Sequence, residues 1–124
     1  MEASDTSELD RRTLRAFPAP AGVALRLWAE PDFPAIQQLS AAEGWPTPID
    51  RPAESLASWR SARPALVAEA GGQLIGFARC LSDGAVTTYL AELLIAPGWR
   101  GRGVGRALLG ACQALVPATR LDVL

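Results

Sequence analysis

The 124-residue sequence predicts a single α/β or α+β domain with a mixed sheet, in the element order β-α-α-β-β-β-α-β. Residues 65–96 predict three consecutive strands, because runs rich in Val, Thr, Leu and Ile alternate with glycine-containing turns. From residue 103 the apolar spacing changes to that of a helix. One strand and two helices are predicted ahead of these three strands, and a final short strand follows the last helix.

Each element is predicted by a local signal. The predicted strands cover residues 23–28, 65–70, 73–81, 85–96 and 120–124, and the predicted helices run from Asp32 to before Gly44, over about 53–61, and from 103 to before Pro117. Asp32 is the N-cap candidate of the first helix, and Gly71-Gly72 predict a hairpin turn with positive φ. Residues 1–21 are charged and polar and predict a flexible leader ahead of a domain over 22–124.

Composition excludes several classes of function. The chain has 12 basic residues, all arginine, 13 acidic residues and no histidine. Catalysis by a Ser-His-Asp or Cys-His group, a His-ligated metal site and Schiff-base chemistry are therefore excluded. A net charge of −1 argues against nucleic acid as a partner, and no apolar run is long enough for a membrane. Residues 1–10 do not resemble a signal peptide. The two cysteines, Cys80 and Cys112, are too few for a disulfide framework or a structural zinc site. We therefore expect a cytoplasmic protein without a metal.

The most informative segment is Arg-Gly-Arg-Gly-Val-Gly-Arg at residues 100–106, between a predicted strand and a predicted helix. Glycines let the backbone approach a ligand closely, and a helix start presents unpaired N–H groups and a partial positive charge. These properties predict a cradle for phosphate or pyrophosphate, to which Arg100, Arg102 and Arg106 add positive field. Neither the dinucleotide fingerprint G-x-G-x-x-G nor the lysine of a P-loop is present. The alternative is a tight turn with solvated arginines.

Residues 93–109, Leu-Leu-Ile-Ala-Pro-Gly-Trp-Arg-Gly-Arg-Gly-Val-Gly-Arg-Ala-Leu-Leu, resemble the acetyl-CoA signature of the GNAT superfamily of N-acetyltransferases. Arg100 and Gly103 fill signature positions, and Gly105 fills a third that takes Gly or Ala. The resemblance covers roughly residues 22–124. It implies a mixed, mostly antiparallel sheet flanked by helices, here truncated at the fifth strand.

The resemblance also implies acetyl-CoA as co-substrate. Its pyrophosphate is expected at Arg100 and on the backbone N–H groups of Gly101, Arg102, Gly103, Val104, Gly105 and Arg106. Its pantetheine arm is expected to pair with the preceding strand at Leu93, Leu94 and Ile95. A backbone N–H in that strand would then polarise the thioester carbonyl.

The implied reaction is direct attack of a primary amine on the acetyl group, which requires a general base rather than a side-chain nucleophile. Glu92 is the candidate, because it precedes the pantetheine segment and is predicted to share a strand face with Leu90 and Leu94. Two alternatives stay open for this carboxylate. It could be paired with a nearby arginine, or it could bind a cationic substrate without accepting a proton.

Members of the family normally continue beyond the fifth strand with a helix, which often bears a tyrosine that protonates the CoA thiolate, and two further strands. This sequence ends at Leu124, so the resemblance predicts an incomplete domain with an unidentified general acid and an exposed strand edge that favours self-association, including a homodimer. Two functions remain open. One is acetylation of a small-molecule, peptide or protein amine, and the other is a non-catalytic acyl-CoA-binding or interaction module.

Overall fold

The computed structural model describes residues 3–123 as a five-stranded sheet with helices on both faces. The strands are β1 (Ala24–Leu27), β2 (Ala65–Ala70), β3 (Gln73–Ser82), β4 (Thr87–Ile95) and β5 (Arg120–Val123). The helices are α1 (Ala3–Ala16), α2 (Phe33–Ala42), α3 (Thr47–Asp50), α4 (Pro52–Ser61) and α5 (Val104–Leu115). Short 3-10 turns at Glu30–Asp32 and Pro97–Trp99 precede α2 and α5.

The predicted fold class is confirmed. The strands lie in the order β1-β2-β3-β4-β5, with antiparallel pairs up to β4 and a parallel pair between β4 and β5. Parallel strands require a crossover, and α5 provides it. Among the described residues, no helix combines the length and the apolar character that crossing a bilayer requires.

Two apolar cores lie on opposite faces of the sheet, because successive side chains of a strand alternate between its faces. In β2, Leu66 packs in the core beneath α1 and α5, whereas Val67 packs in the core beneath α2 and α4. The second core contains Trp59, whose ring meets Phe77 edge-on at 5.3 Å between centroids. Both helical layers are therefore packed on the sheet through apolar side chains.

The segment predicted to be a flexible leader is helical over Ala3–Ala16 and packs on the sheet, which corrects that prediction for the described residues. Leu14 is only 4% exposed and lies in the core beside α5. Phe17 packs over Gly110, where an added Cβ would lie 2.9 Å from the ring atom Cζ. The sequence did not predict this packing, because the segment is polar on average and only a few of its apolar residues contact the core.

Asp32 occupies the N-cap position of α2, as predicted, but its side chain does not cap that helix. Its carboxylate makes no bond to the N–H groups of α2 but accepts the N–H of Ala29 at 2.8 Å. The same carboxylate pairs with Arg26 of β1 at 2.8 and 2.9 Å. These bonds connect the first strand to the 3-10 turn that leads into α2.

The turn between β3 and β4 depends on Asp83, whose Oδ1 accepts the N–H groups of Ala85, Val86 and Thr87 at 2.9, 2.8 and 3.1 Å. These backbone hydrogen bonds hold the pKa of Asp83 below its ordinary value of 3.8. A carboxylate whose pKa is lowered by folding stabilises the fold above its unfolded pKa and loses that contribution as the pH falls through its folded pKa.

Asp83→Ala should therefore lower the Tm at neutral pH, and the difference from wild type should shrink as the pH falls below about 4. Thermal melts recorded by circular dichroism from neutral to acidic pH measure both effects. Equal Tm values for the two proteins at neutral pH would contradict this account of the turn.

Candidate functional site

A cleft of about 350 Å³ lies where β4 ends and α5 begins. It is lined by Ile95, Trp99, Arg100, Gly101, Gly103, Val104, Gly105 and Arg106. Gly101 and Gly103 have φ angles of +77° and +89°, in the left-handed region that other residues rarely adopt. The glycines of the motif are therefore required by the path of the loop into the helix.

The start of α5 presents free backbone donors to this cleft. The first hydrogen bond of the helix runs from the Ala107 N–H to the Gly103 carbonyl, at 3.0 Å. Within residues 3–123, the N–H groups of Val104, Gly105 and Arg106 donate to no carbonyl or side chain. Three adjacent unpaired donors at the positive end of a 12-residue helix form a suitable site for phosphate.

The three arginines of the motif have different surroundings. Arg100 donates from Nε to the carbonyl of Ile95 at 2.9 Å and pairs with Glu43. The guanidinium of Arg102 lies 4.8 Å from the ring centroid of Trp99. Arg106 lines the cleft and has no ion pair with any other described residue. Among the described residues no carboxylate pairs with Arg102 or Arg106, and of these two only Arg106 lines the cleft.

The C-terminal half of β4 has a backbone edge that is only partly used. On one side β4 pairs with β3 over Thr88–Ile95, but on the other it pairs with β5 only over Thr87–Leu90. Within the described part of the chain, residues 91–95 thus have no strand partner on the β5 side. An extended ligand can form hydrogen bonds with this edge as an additional strand does.

A β-bulge at Ala91 determines the direction in which Glu92 points. Arg79 of β3 is opposite Glu92, whereas the next residue, Cys80, is opposite Leu90, so Ala91 is an extra residue in β4. Leu90 consequently packs in the core beneath α5, and Leu94 packs in the core beneath α2 and α4. The prediction that Glu92 shares one face with both leucines was wrong for Leu90, because the bulge reverses the alternation.

Glu92 borders a second cleft, of about 200 Å³, between the α3–α4 segment and strands β3 and β4. The lining residues are Thr47, Pro48, Arg51, Glu54, Ser55, Ser58, Trp59, Arg79 and Glu92. Oε1 of Glu92 accepts a hydrogen bond from Nε of Arg79 at 3.2 Å. The pairing with an arginine, one of the alternatives for this carboxylate, is therefore present, and the carboxylate also faces open space.

Sequence reasoning missed the other walls of this second cleft. Arg79 was not recognised as a residue of this cleft. It lies on β3 and contacts Glu92 on β4, and the register between these two strands depends on the bulge. The α4 wall had a usable signal, since Arg51, Glu54, Ser55 and Ser58 recur at spacings of three and four residues on one helical face.

The two glycines at the start of α5 should respond differently to alanine. A Cβ at Gly105 would meet Ile95 and Leu93 at 3.7 and 3.9 Å, which is ordinary contact, and alanine favours a helix over glycine by about 1 kcal/mol. Gly105→Ala should therefore keep the Tm or raise it. Gly103→Ala should lower the Tm, because an L-residue with left-handed φ costs about 1–2 kcal/mol. The reverse order of Tm values in thermal melts would contradict this geometry.

Comparisons with known proteins all identify acetyltransferases as similar to this chain. The sequence model of the acetyltransferase (GNAT) family matches residues 23–123. The chain is 34% identical over 80 residues to mycothiol acetyltransferase of Kocuria rhizophila, covering 64% of this chain and 26% of that protein. It is 36% identical over 83 residues to histone acetyltransferase TAP1 of Glycine max, covering 60% of this chain and 36% of that protein. The chain thus spans between 22% and 36% of the length of the curated relatives it matches.

Solved structures have the same fold. A Deinococcus radiodurans R1 protein assigned to the acetyltransferases has a TM-score of 0.65 and 30% identity, with 86% of this chain and 75% of that chain covered. The PaiA N-acetyltransferase of Thermoplasma acidophilum, solved in complex with coenzyme A, has a TM-score of 0.63 and 17% identity, with 80% and 77% covered. At that lower identity the likeness concerns the fold alone.

Proposed function

The chain belongs to the GNAT family of acetyltransferases, and from this premise we propose that it transfers an acetyl group from acetyl-CoA to a primary amine. The observation that supports the proposal most is the cradle at the start of α5. Three unpaired N–H groups there follow a loop that Gly101 and Gly103 bring into position, directly beyond the free edge of β4. We expect the protein to work in the cytoplasm, where its two buried cysteines would remain free thiols.

In the proposed complex, acetyl-CoA supplies the acetyl group as a reactive thioester. The N–H groups of Val104, Gly105 and Arg106 bind the pyrophosphate, and Arg106 adds charge. The free edge of β4 at Leu93, Leu94 and Ile95 aligns the pantetheine arm. A backbone N–H of this edge also donates to the thioester carbonyl oxygen, where negative charge develops during attack.

Glu92 is the proposed general base, acting on the amine directly or through one water. It follows the bulge, lies immediately before the pantetheine-binding segment and borders the second cleft. The guanidinium of Arg79 donates a hydrogen bond to Oε1 of this carboxylate and so fixes its position beside the cleft. The amine would therefore enter through the cleft beside α4, on the opposite side of the sheet from α5.

A second candidate function is binding of acyl-CoA without catalysis. The ion pair between Glu92 and Arg79 favours it, because Oε1 of the carboxylate already accepts a hydrogen bond from the guanidinium instead of being free for the amine. In that case the α5 cradle would be used as proposed and the cleft beside α4 would have no catalytic role. The two candidates therefore share the coenzyme site and differ in turnover.

Calorimetric titration of the 124-residue chain with CoA tests the part that both candidates share. We expect saturable binding with one CoA per chain that is weakened by added pyrophosphate, which competes for the same N–H groups. The absence of binding would refute both candidates. Thiol release from acetyl-CoA in the presence of amines then separates transfer from binding alone.

A further inference from the structure

We propose that the acceptor is a small amino acid whose carboxylate is bound by Arg79 while its amine is held by Glu92, in the cleft beside α4. This inference rests on the proposed function and specifies its acceptor. The reaction joins the amine nitrogen to the acetyl carbon, the bond from that carbon to sulfur breaks, and the sulfur takes up one proton lost by that nitrogen, so CoA leaves as the thiol. The ammonium form of the acceptor also releases one proton, which Glu92 accepts and passes to solvent. The product is an N-acetyl amino acid.

The main argument is the unused hydrogen-bonding capacity of Arg79. Its side chain is only 16% exposed, and its one hydrogen bond runs from Nε to Glu92. A guanidinium has five N–H donors, so the four on Nη1 and Nη2 donate to no other described residue. Among the described residues, every fully buried polar side-chain atom has a hydrogen-bond partner. Nη1 and Nη2 of Arg79 have none and are therefore accessible, and the open space beside them is the cleft that Arg79 lines. Donors held in this way favour an anionic ligand group.

The charge of the cleft favours an acceptor that carries both signs. An amine approaching Glu92 would bring its ammonium group next to the guanidinium of Arg79, which repels it. A carboxylate on the same small molecule removes this repulsion, because it neutralises Arg79 while the ammonium pairs with Glu92. Carboxylate and guanidinium are both planar and can form two parallel hydrogen bonds. The acceptor therefore completes the existing ion pair instead of breaking it.

The walls and size of the cleft are consistent with a small polar acceptor. Ser55 is 8% exposed and lines the cleft, yet its hydroxyl has no hydrogen-bond partner among residues 3–123. That hydroxyl is available to a polar group of the ligand. The volume of about 200 Å³ is below the range of about 300–1,000 Å³ for pockets that hold drug-sized ligands. Arg51 and Glu54 form a second ion pair, more exposed, at the mouth.

The test is acceptor binding to the chain saturated with CoA, measured by NMR titration with L-alanine and with L-alaninamide. The two molecules differ only in the carboxylate, which the amide replaces with a neutral group. We expect L-alanine to bind about 10- to 100-fold more tightly, as for charge-assisted hydrogen bonds in a partly buried site. Arg79→Gln should reduce this preference to about threefold or less, and Arg79→Lys, which keeps the charge, should retain part of it. Arg60→Gln, which removes an exposed ion pair with Glu30 outside the cleft, is the matched control and should leave the preference intact.

Several outcomes would overturn the inference. Equal affinity for L-alanine and L-alaninamide, no binding of either to the CoA-saturated chain, or an unchanged preference in Arg79→Gln would each do so. All three leave the coenzyme site and the proposed function standing, because CoA binding is measured first and separately. Failure of CoA itself to bind would refute the proposed function and this inference with it.

Discussion

Gly103→Glu is expected to weaken CoA binding by at least about 100-fold, which corresponds to about 2.7 kcal/mol. Gly103 directly precedes α5, and an added Cβ has no neighbour closer than 3.8 Å, so a glutamate side chain has room to turn toward the helix start. Its carboxylate would accept hydrogen bonds from the free N–H groups of α5 and would repel the coenzyme phosphates. Calorimetric titration of both proteins with CoA measures the change.

Gly103→Ala is the matched control, because it introduces the same left-handed backbone strain without the charge. If Gly103→Ala keeps most of the affinity while Gly103→Glu loses it, the loss arises from the anion in the cradle. Equal CoA affinity in wild type and Gly103→Glu would show that the pyrophosphate does not bind at this helix start.

Glu92→Gln is expected to lower kcat by about 10²–10⁴, the usual contribution of a general base, while CoA binds as before. The glutamine side chain has the same size as glutamate, but its amide does not accept a proton. Because the amide is neutral, Arg79 also loses its charged partner. The acid limb of the pH–rate profile should change as well, because that limb reports ionisation of the base. Steady-state thiol release over a range of pH measures both quantities.

Glu30→Gln is the control for Glu92→Gln, because it removes an exposed carboxylate paired with Arg60, away from both clefts. Its kcat should equal that of wild type. Unchanged kinetics in Glu92→Gln would identify Glu92 as a bystander, and the amine would then need another base.

The sheet and the glycine-rich loop before α5 were predictable from sequence because their signals are local. Alternating apolar residues and the turn at Gly71-Gly72 determine the β2–β3 hairpin, whose β2 bounds were predicted without error. The apolar stripe of α5 and the glycines before it lie within one short segment, so the positive φ of Gly103 agrees with the motif.

The rest depends on contacts that a single segment does not encode. Docking of α1 requires Phe17 to meet Gly110, which is distant in sequence. The direction of Glu92 depends on the bulge at Ala91, which appears only when β4 is aligned with β3. Arg79 lies opposite Glu92 through that same register, so the cleft beside α4 was recognisable only in three dimensions. The short helix α3, four residues long, is also held by tertiary contacts, including the bond from Gln37 Nε2 to the Pro48 carbonyl at 2.7 Å.

Turnover of acetyl-CoA by the purified chain tests the central claim most directly. The chain is incubated with acetyl-CoA and a panel of primary amines that includes small amino acids, and thiol release is measured beside mass spectrometry of the products. The account predicts that CoA thiol and N-acetylated amine form in equal amounts, and that Gly103→Glu and Glu92→Gln both suppress this product. Saturable CoA binding without any acetylated product would contradict it and would identify a binding module instead.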